Sequence, residues 1–403
     1  MRILAVHNCY GSAAPSGENR AFEAECDLLE RRGHTLRRFV RDSDELRAQG
    51  GWGALRGALA TPWNPFATRA LRRTVEVFGP DVVHVHNTFP SLSPAVFYAV
   101  GHRAGRVLTL HNYRLFCPAA IPMRAGRVCT ECLDRRSVLP SLRYGCYRGS
   151  RVATAPIAAS VALHRALGTW IGQVDAFLAL SEFQRLRMVE AGLPAGKVHV
   201  KPSFFSGDPA VVPWLDREAY IVFSGRLTAE KGVVSLIRAW QAWGENAPEL
   251  RVVGAGELLP ELTQMAAGLR VRFLGSLSLA ESRRQIAGAR LLVVPSECFE
   301  GFPVVLVEAF AFGTPAAVSN LGPLPSIVKR NENGVVFEGG APAAILEEVR
   351  RSWGAPGHLE RLGRAARMSF ESHYTENVAY DLLMTTYERA MAVSAGRGEV
   401  ASR

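Results

Sequence analysis

The run Leu291-Leu292-Val293-Val294-Pro295-Ser296-Glu297-Cys298-Phe299-Glu300-Gly301-Phe302-Pro303 passes directly into Val304-Val305-Leu306-Val307-Glu308-Ala309-Phe310-Ala311-Phe312-Gly313-Thr314-Pro315. A short apolar run, a turn rich in Pro, Ser and Gly, and a longer apolar segment read as a strand, a turn and a helix. Glu300 falls in the loop before the helix N-terminus, where free amides and the helix dipole attract phosphate. Glu308 comes eight residues later, about two turns on, and can face the same side. A carboxylate at each place can accept hydrogen bonds from vicinal sugar hydroxyls. Taken alone, the same pair is equally well a solvated helix face.

The alternation extends in both directions. Apolar runs at 220–225, 250–254, 271–275, 291–295 and 316–319 predict a doubly wound parallel sheet for the second half of the chain. Runs at 3–7, 36–40, 81–86, 107–111 and 176–181, with a helical pattern at 18–32, predict another for the first half. Between them Lys201-Pro202-Ser203-Phe204-Phe205-Ser206-Gly207-Asp208-Pro209 reads as a connection. The expected architecture is α/β, with Rossmann-like domains at 1–205 and 206–375 facing a cleft. Residues 376–403 are expected to form a helix packing back on the first domain, plus a loose tail. Val378, Leu382, Leu383, Tyr387 and Met391 recur there at helical spacing. Open parallel sheets bind ligands beyond the carboxyl ends of their strands, so chemistry is expected at strand ends facing the cleft.

A chain of 403 residues can bury two cores, and 48% apolar with 21% charged residues is a globular balance. The longest weakly polar stretch, 152–163, falls well short of the roughly 20 residues that span a bilayer. Met1-Arg2-Ile3-Leu4-Ala5-Val6 reads as a strand rather than a signal peptide. A cytoplasmic protein is expected. The net charge of +10 points to an anionic partner. Basic residues concentrate at 31–47 and 135–165, either as solvated charge or as a surface resting on anionic lipid at the inner face of the membrane.

Further motifs sit at other strand ends. Ser224-Gly225-Arg226-Leu227-Thr228-Ala229-Glu230-Lys231-Gly232 is again a strand, a Gly turn and a helix start, and its two cations can reach a diphosphate. Val253-Gly254-Ala255-Gly256-Glu257 is a weaker glycine turn, and Gly11 to Gly17 forms a flexible loop without the Gly-x-Gly-x-x-Gly fingerprint of nicotinamide binding. His84, His86 and Asn87 end one strand and His111 ends another, where a single histidine is as readily structural. Cys117, Cys129, Cys132 and Cys146 lie within 30 residues, the middle pair as Cys-x2-Cys. They are either ordinary thiols or a structural zinc site. Asp42-Ser43-Asp44 is formally an Asp-x-Asp motif and is read as a solvated turn.

The Pro-Ser, Glu-Gly-Phe, Glu-Ala and Gly-Thr-Pro frame around Glu300 and Glu308 resembles the retaining family 4 glycosyltransferases of the GT-B fold, with their Glu-x7-Glu motif. The resemblance covers nearly the whole chain. It implies that Glu300 binds the donor sugar and Glu308 the nucleotide ribose, and that Arg226 and Lys231 hold the donor pyrophosphate. Gly17, Gly254, Leu277, Gly301, Phe302 and Val304 complete the implied donor site. His111 matches the family's cleft histidine near the reacting sugar, with His86 and Asn87 as candidate acceptor contacts. Pro303 stands where many members have Gly and offers no N–H to a phosphate. Ser16-Gly17 and Lys201-Pro202-Ser203 also depart from the usual Gly-Gly and Pro-Asn.

The implied reaction moves a sugar from a nucleotide diphosphate sugar of UDP or GDP type to an acceptor hydroxyl, with retention and without a required cofactor. His111-Asn112-Tyr113-Arg114-Leu115-Phe116-Cys117-Pro118 resembles surface-polysaccharide transferases, which implies a glycan or lipid-linked acceptor. Two rivals are a sugar-nucleotide epimerase, which needs no acceptor, and a zinc-stabilised nucleic-acid-binding protein. Against the latter, no basic and aromatic interleaving or reading helix stands out, so no nucleic-acid partner is expected.

Overall fold

The computed structural model describes residues 1–11 and 17–401. It divides into two compact units. The first comprises Met1–Pro122, Thr130–Pro202 and Ala379–Arg403; the second comprises Met123–Cys129 and Ser203–Val378.

In the first unit, strands β1 (Arg2–Cys9), β2 (Thr35–Asp42), β3 (Val82–Asn87), β4 (Gly105–Leu110), β5 (Ala176–Ala179) and β6 (Val198–Val200) form a parallel sheet of order β2-β1-β3-β4-β5-β6. Every residue of β3, β4 and β5 is buried. Burial on both faces is why β5 reads as a continuous apolar run, whereas β3 and β4 carry the buried polar residues His84, His86, Asn87, Arg106 and Thr109. Helix Gly17–Arg31 follows β1 and buries Phe22, Glu25, Cys26, Leu28 and Leu29.

In the second unit, β7 (Tyr220–Ser224), β8 (Glu249–Val253), β9 (Val271–Gly275), β10 (Leu291–Val294), β11 (Ala316–Ser319) and β12 (Gly334–Phe337) give the parallel order β9-β8-β7-β10-β11-β12. Tyr220, Val222, Leu292, Val294, Ala316 and Val318 pack into one core, while Ile221, Phe223, Leu291, Val293 and Ala317 pack into the other. This is the two-residue period of a strand covered on both sides. Ser278 and Glu281 form a reciprocal capping box that starts the helix Leu279–Gly288.

Several sequence expectations need correction. Strands β6 and β12 lie outside the runs expected from the sequence: β6 is only three residues long, and β12 directly follows the polar stretch 329–333. The last helix runs Glu376–Ala401 rather than ending in a tail, and Arg397 Nη2 donates to Asp175 Oδ2 at 2.7 Å. Its docked face carries Leu383, Tyr387 and Ala390, whereas Leu382 is exposed. Ser43 is buried and donates to the Cys9 carbonyl, so the Asp42-Ser43-Asp44 turn is tied into the sheet edge. No helix of the described residues is long and apolar enough to cross a membrane.

Candidate functional site

The strand order of the second unit reverses between β7 and β10, and the loops leaving these two strands flank the crevice where doubly wound sheets bind ligands. The loop after β7 carries Arg226 and Lys231; the loop after β10 carries Ser296, Glu300, Gly301 and Phe302. Close approach of the two loops requires glycine. Gly232 has φ +68°, and a Cβ there would stand 1.9 Å from the Pro295 carbonyl oxygen. Gly254, following β8 with φ +136°, would likewise bring a Cβ within 1.9 Å of the Gly225 oxygen.

These turns bring Lys231 Nζ to 2.7 and 2.9 Å from the two oxygens of Glu300, while Ser296 Oγ donates to Glu300 Oε1 at 2.6 Å. Burial alone would raise the Glu300 carboxyl, but Lys231, Ser296 and Arg226 outweigh it and hold it below its ordinary value. Burial would in turn lower Lys231, and Glu300 reverses that and raises it. The pair is therefore ionised at neutral pH. Arg226 is half exposed and reaches Glu230 Oε1 at 3.0 Å with a single nitrogen.

The helix Val304–Ala311 starts at Val304, because Gly301, Phe302 and Pro303 stay outside it. Glu308 is consequently one turn into the helix rather than two. It is buried and accepts from Arg283 Nε at 3.1 Å. Arg283 stacks over Phe205 with its guanidinium carbon 4.2 Å from the ring centre. Nothing in the sequence separated Arg283 from its exposed neighbour Arg284. Phe302 and Leu277 pack partly buried on the core of this unit. Each glutamate of the motif thus has its own cation.

In the first unit, Gly17 is exposed and opens the helix Gly17–Arg31, while Ser16 lies outside the described residues. His86 and Asn87 end β3, and His111 directly follows β4. They border a pocket that is also lined by Asn112, Arg114 and Trp170. His86 Nδ1 lies 3.0 Å from His111 Nε2. Burial and the neighbouring His86 and His7 keep His111 well below the ordinary histidine range, and burial with His84 lowers His86 to about 4. Both imidazoles are neutral at physiological pH.

Among the cysteines, Cys117 and Cys132 are buried, and Cys129 and Cys146 are half-buried. Burial, with Cys132 and Cys146 nearby, pushes the Cys117 thiol up to about 12. The described residues with three potential ligand atoms within 4.8 Å of one another are Glu25, His84 and His86. Within the first unit, Cys117, Cys132 and Cys146 are not gathered to metal-ligand spacing.

Comparison with known proteins agrees with this geometry. Residues 208–369 match the profile "Glycosyl transferases group 1", and residues 16–203 match "Glycosyl transferase 4-like domain". The uncharacterized glycosyltransferase MJ1607 of Methanocaldococcus jannaschii is 32% identical over 184 residues, 44% of this chain and 46% of the relative. The amylovoran biosynthesis glycosyltransferase AmsK of Erwinia amylovora is 27% identical over 234 residues, 54% and 57% of the two chains. The chain thus spans about half the length of the curated relatives it matches.

Two solved structures share the fold. Anabaena HepE in complex with UDP has TM-score 0.64 and 17% identity, covering 96% of this chain and 99% of its own. Sucrose-phosphate synthase of Thermosynechococcus elongatus has TM-score 0.69 and 16% identity, covering 98% and 100%. Two Rossmann-like units, each built on a six-stranded parallel sheet, and the likeness to these two folds place the chain in the GT-B class. With two family profiles matched over 16–203 and 208–369, the chain belongs to the family 4 glycosyltransferases.

Proposed function

We propose that this protein transfers a sugar from a nucleotide diphosphate sugar to an acceptor hydroxyl, with retention of anomeric configuration and with no cofactor needed for the chemistry. The carrying observation is the Lys231–Glu300 pair at the strand switch point. Lys231 Nζ has three donors, of which Glu300 engages two. The third is available to a phosphate oxygen. Arg226 commits one nitrogen to Glu230 and keeps the rest of its fork for the same diphosphate. In a same-face displacement these cations stabilise the departing diphosphate, which can take the acceptor's proton. Glu300 and Glu308 are assigned to the donor sugar and the ribose. The UDP held by the similarly folded HepE supports a donor of UDP or GDP type.

We assign the cavity beside His111 to the acceptor, with a glycan or lipid-linked precursor as its class. A surface on the first unit supports work at the inner face of an anionic membrane. Trp52, Leu55 and Leu59 lie on one face of the helix Gly50–Ala60 and, with Phe66, are all at least half exposed. Arg69, Arg72 and Arg73 lie on the next helix. Exposed aromatic and aliphatic side chains beside arginines match the apolar boundary and charge of such a surface. A structural zinc on Cys117, Cys129, Cys132 and Cys146, pinning the loop that follows His111, is a separate proposal. It rests on their spacing and on the proximity of Cys117, Cys132 and Cys146, since metal binding can draw the thiols together.

A thermal-shift panel of UDP, GDP, ADP and their common sugars tests the donor assignment. Selective stabilisation by one nucleotide, lost in Glu308→Ala, is expected. No shift with any of them would overturn it.

A further inference from the structure

Behind the acceptor-side cavity lies an ion cluster that no motif announces. Glu25 Oε2 lies 2.7 Å from Lys201 Nζ, and Glu25 Oε1 lies 3.0 Å from His84 Nδ1 and 3.2 Å from His86 Nε2. All four side chains are essentially buried. Glu25, His84 and His86 are spaced as metal ligands, but the Lys201 ammonium already supplies the positive charge that a buried carboxylate needs. Burial alone would raise Glu25, and Lys201, His84 and His86 reverse this and hold it well below its ordinary value.

His86 hands the contact on. Its ring meets that of His111 edge to edge, with centres 5.3 Å apart, planes 26° apart and the facing nitrogens 3.0 Å apart. Two neutral imidazoles share such a contact only if one donates and the other accepts. The carboxylate decides which. The contact at 3.2 Å is an electrostatic one, since Glu25 Oε1 accepts no hydrogen bond among the described residues: a bare lone pair on His86 Nε2 facing the anion would be repelled, whereas Nε2–H is attracted. His86 Nδ1 is therefore the acceptor, His111 Nε2–H is the donor, and His111 Nδ1 keeps its lone pair.

We propose that Glu25 is a positioning residue: with Lys201 it locks His86 in the Nε2–H tautomer and thereby fixes His111 as a neutral imidazole whose Nδ1 accepts a hydroxyl hydrogen from the ligand in the adjoining cavity. The proposal rests on reading that cavity as the acceptor side. It makes the site selective for ligands presenting a hydroxyl there, because an ether at the same position leaves Nδ1 without a donor.

The test is nitrogen-15 NMR of histidine-labelled protein at neutral pH, with His86→Gln and His111→Gln supplying the assignments. Wild type is expected to show both His86 and His111 as Nε2–H tautomers. An Nδ1–H form of His111, or a tautomer mixture, would overturn the proposal. In Glu25→Gln the single tautomer should be lost and kcat should fall on the order of 100-fold, with donor KM unchanged, because the defect is one of orientation. Retention of both wild-type tautomers in that variant refutes the role of Glu25. Because Glu25→Gln leaves the buried Lys201 without its carboxylate, Glu25→Gln/Lys201→Met serves as the folded control and should show the same loss. Thermal shift with donor nucleotide runs in parallel. Absence of nucleotide binding counts against the proposed function, whereas normal binding with unlocked tautomers counts against this inference alone.

Discussion

Replacing Lys231 by Met removes the ammonium and keeps an unbranched apolar stem, leaving Glu300 with Ser296 as its close hydrogen-bond donor among the described residues. Removing one partner of a buried ion pair costs about 3–5 kcal/mol. Here the side chains retain 21% and 11% exposure and the 2.6 Å Ser296 bond survives, so about 2–3 kcal/mol is expected. At roughly 2–4 °C per kcal/mol for a unit of this size, Tm should fall by about 5–10 °C. Loss of a charge-assisted bond to the diphosphate, about 1.5–3 kcal/mol, should separately lower kcat/KM by about 10- to 150-fold. Calorimetry and steady-state kinetics on Lys231→Met, Glu300→Gln and the double variant separate the two effects. The double variant buries no unpaired charge and should regain most of the lost Tm without regaining activity. If it turns over donor like wild type, neither residue touches the donor and the site assignment fails.

Acid stability should follow the buried histidines. Burial, with His86 nearby, lowers His7 to about 4, and burial with His84 does the same to His86. The unfolded chain protonates these rings near pH 6.5 while the folded chain does not, so stability is complete above about 6.5 and is lost as pH falls from there to 4. The slope approaches roughly 1.4 kcal/mol per pH unit for each ring, and His86→Gln should flatten the Tm profile measured between pH 7 and 5. Co-sedimentation with phosphatidylglycerol vesicles should exceed that with phosphatidylcholine. The difference should drop several-fold in Trp52→Ser/Phe66→Ser, and equal pelleting on both lipids refutes the membrane surface. Metal analysis of gently purified protein should find about one zinc per chain, and less than about a tenth of an equivalent disposes of the cysteine site.

Much of this site is legible from local sequence. Strand, turn and helix around Glu300, the glycines at 232 and 254, and the cations at 226 and 231 each follow from neighbours within a few residues, because turn geometry and helix starts are local properties. The contacts among them are not local. Lys231 and Glu300 are 69 residues apart, and only the placement of β7 beside β10 brings them together. Arg283 reads as one more surface charge until the sheet sets its helix against Glu308.

Glu25 shows the same limit more sharply. It stands among Glu23, Asp27 and Glu30 on a helix whose charges are otherwise solvated, and the sequence pattern marks it as polar. In the fold it is nine-tenths or more buried, because β3 delivers His84 and His86 to it and the end of β6 delivers Lys201. The closing helix was visible from its period, but not the arc that docks. Gly105 opens β4 with no room for a side chain, as a Cβ there would lie 2.9 Å from the backbone of Ala390. That close approach buries Ala390 and leaves Leu382 facing solvent. Sequence alone determined which segments form strands, turns and helices, since those preferences are set over a few residues. The tertiary structure alone decided which charges became partners and which helix face became core, since both depend on chain segments tens to hundreds of residues apart.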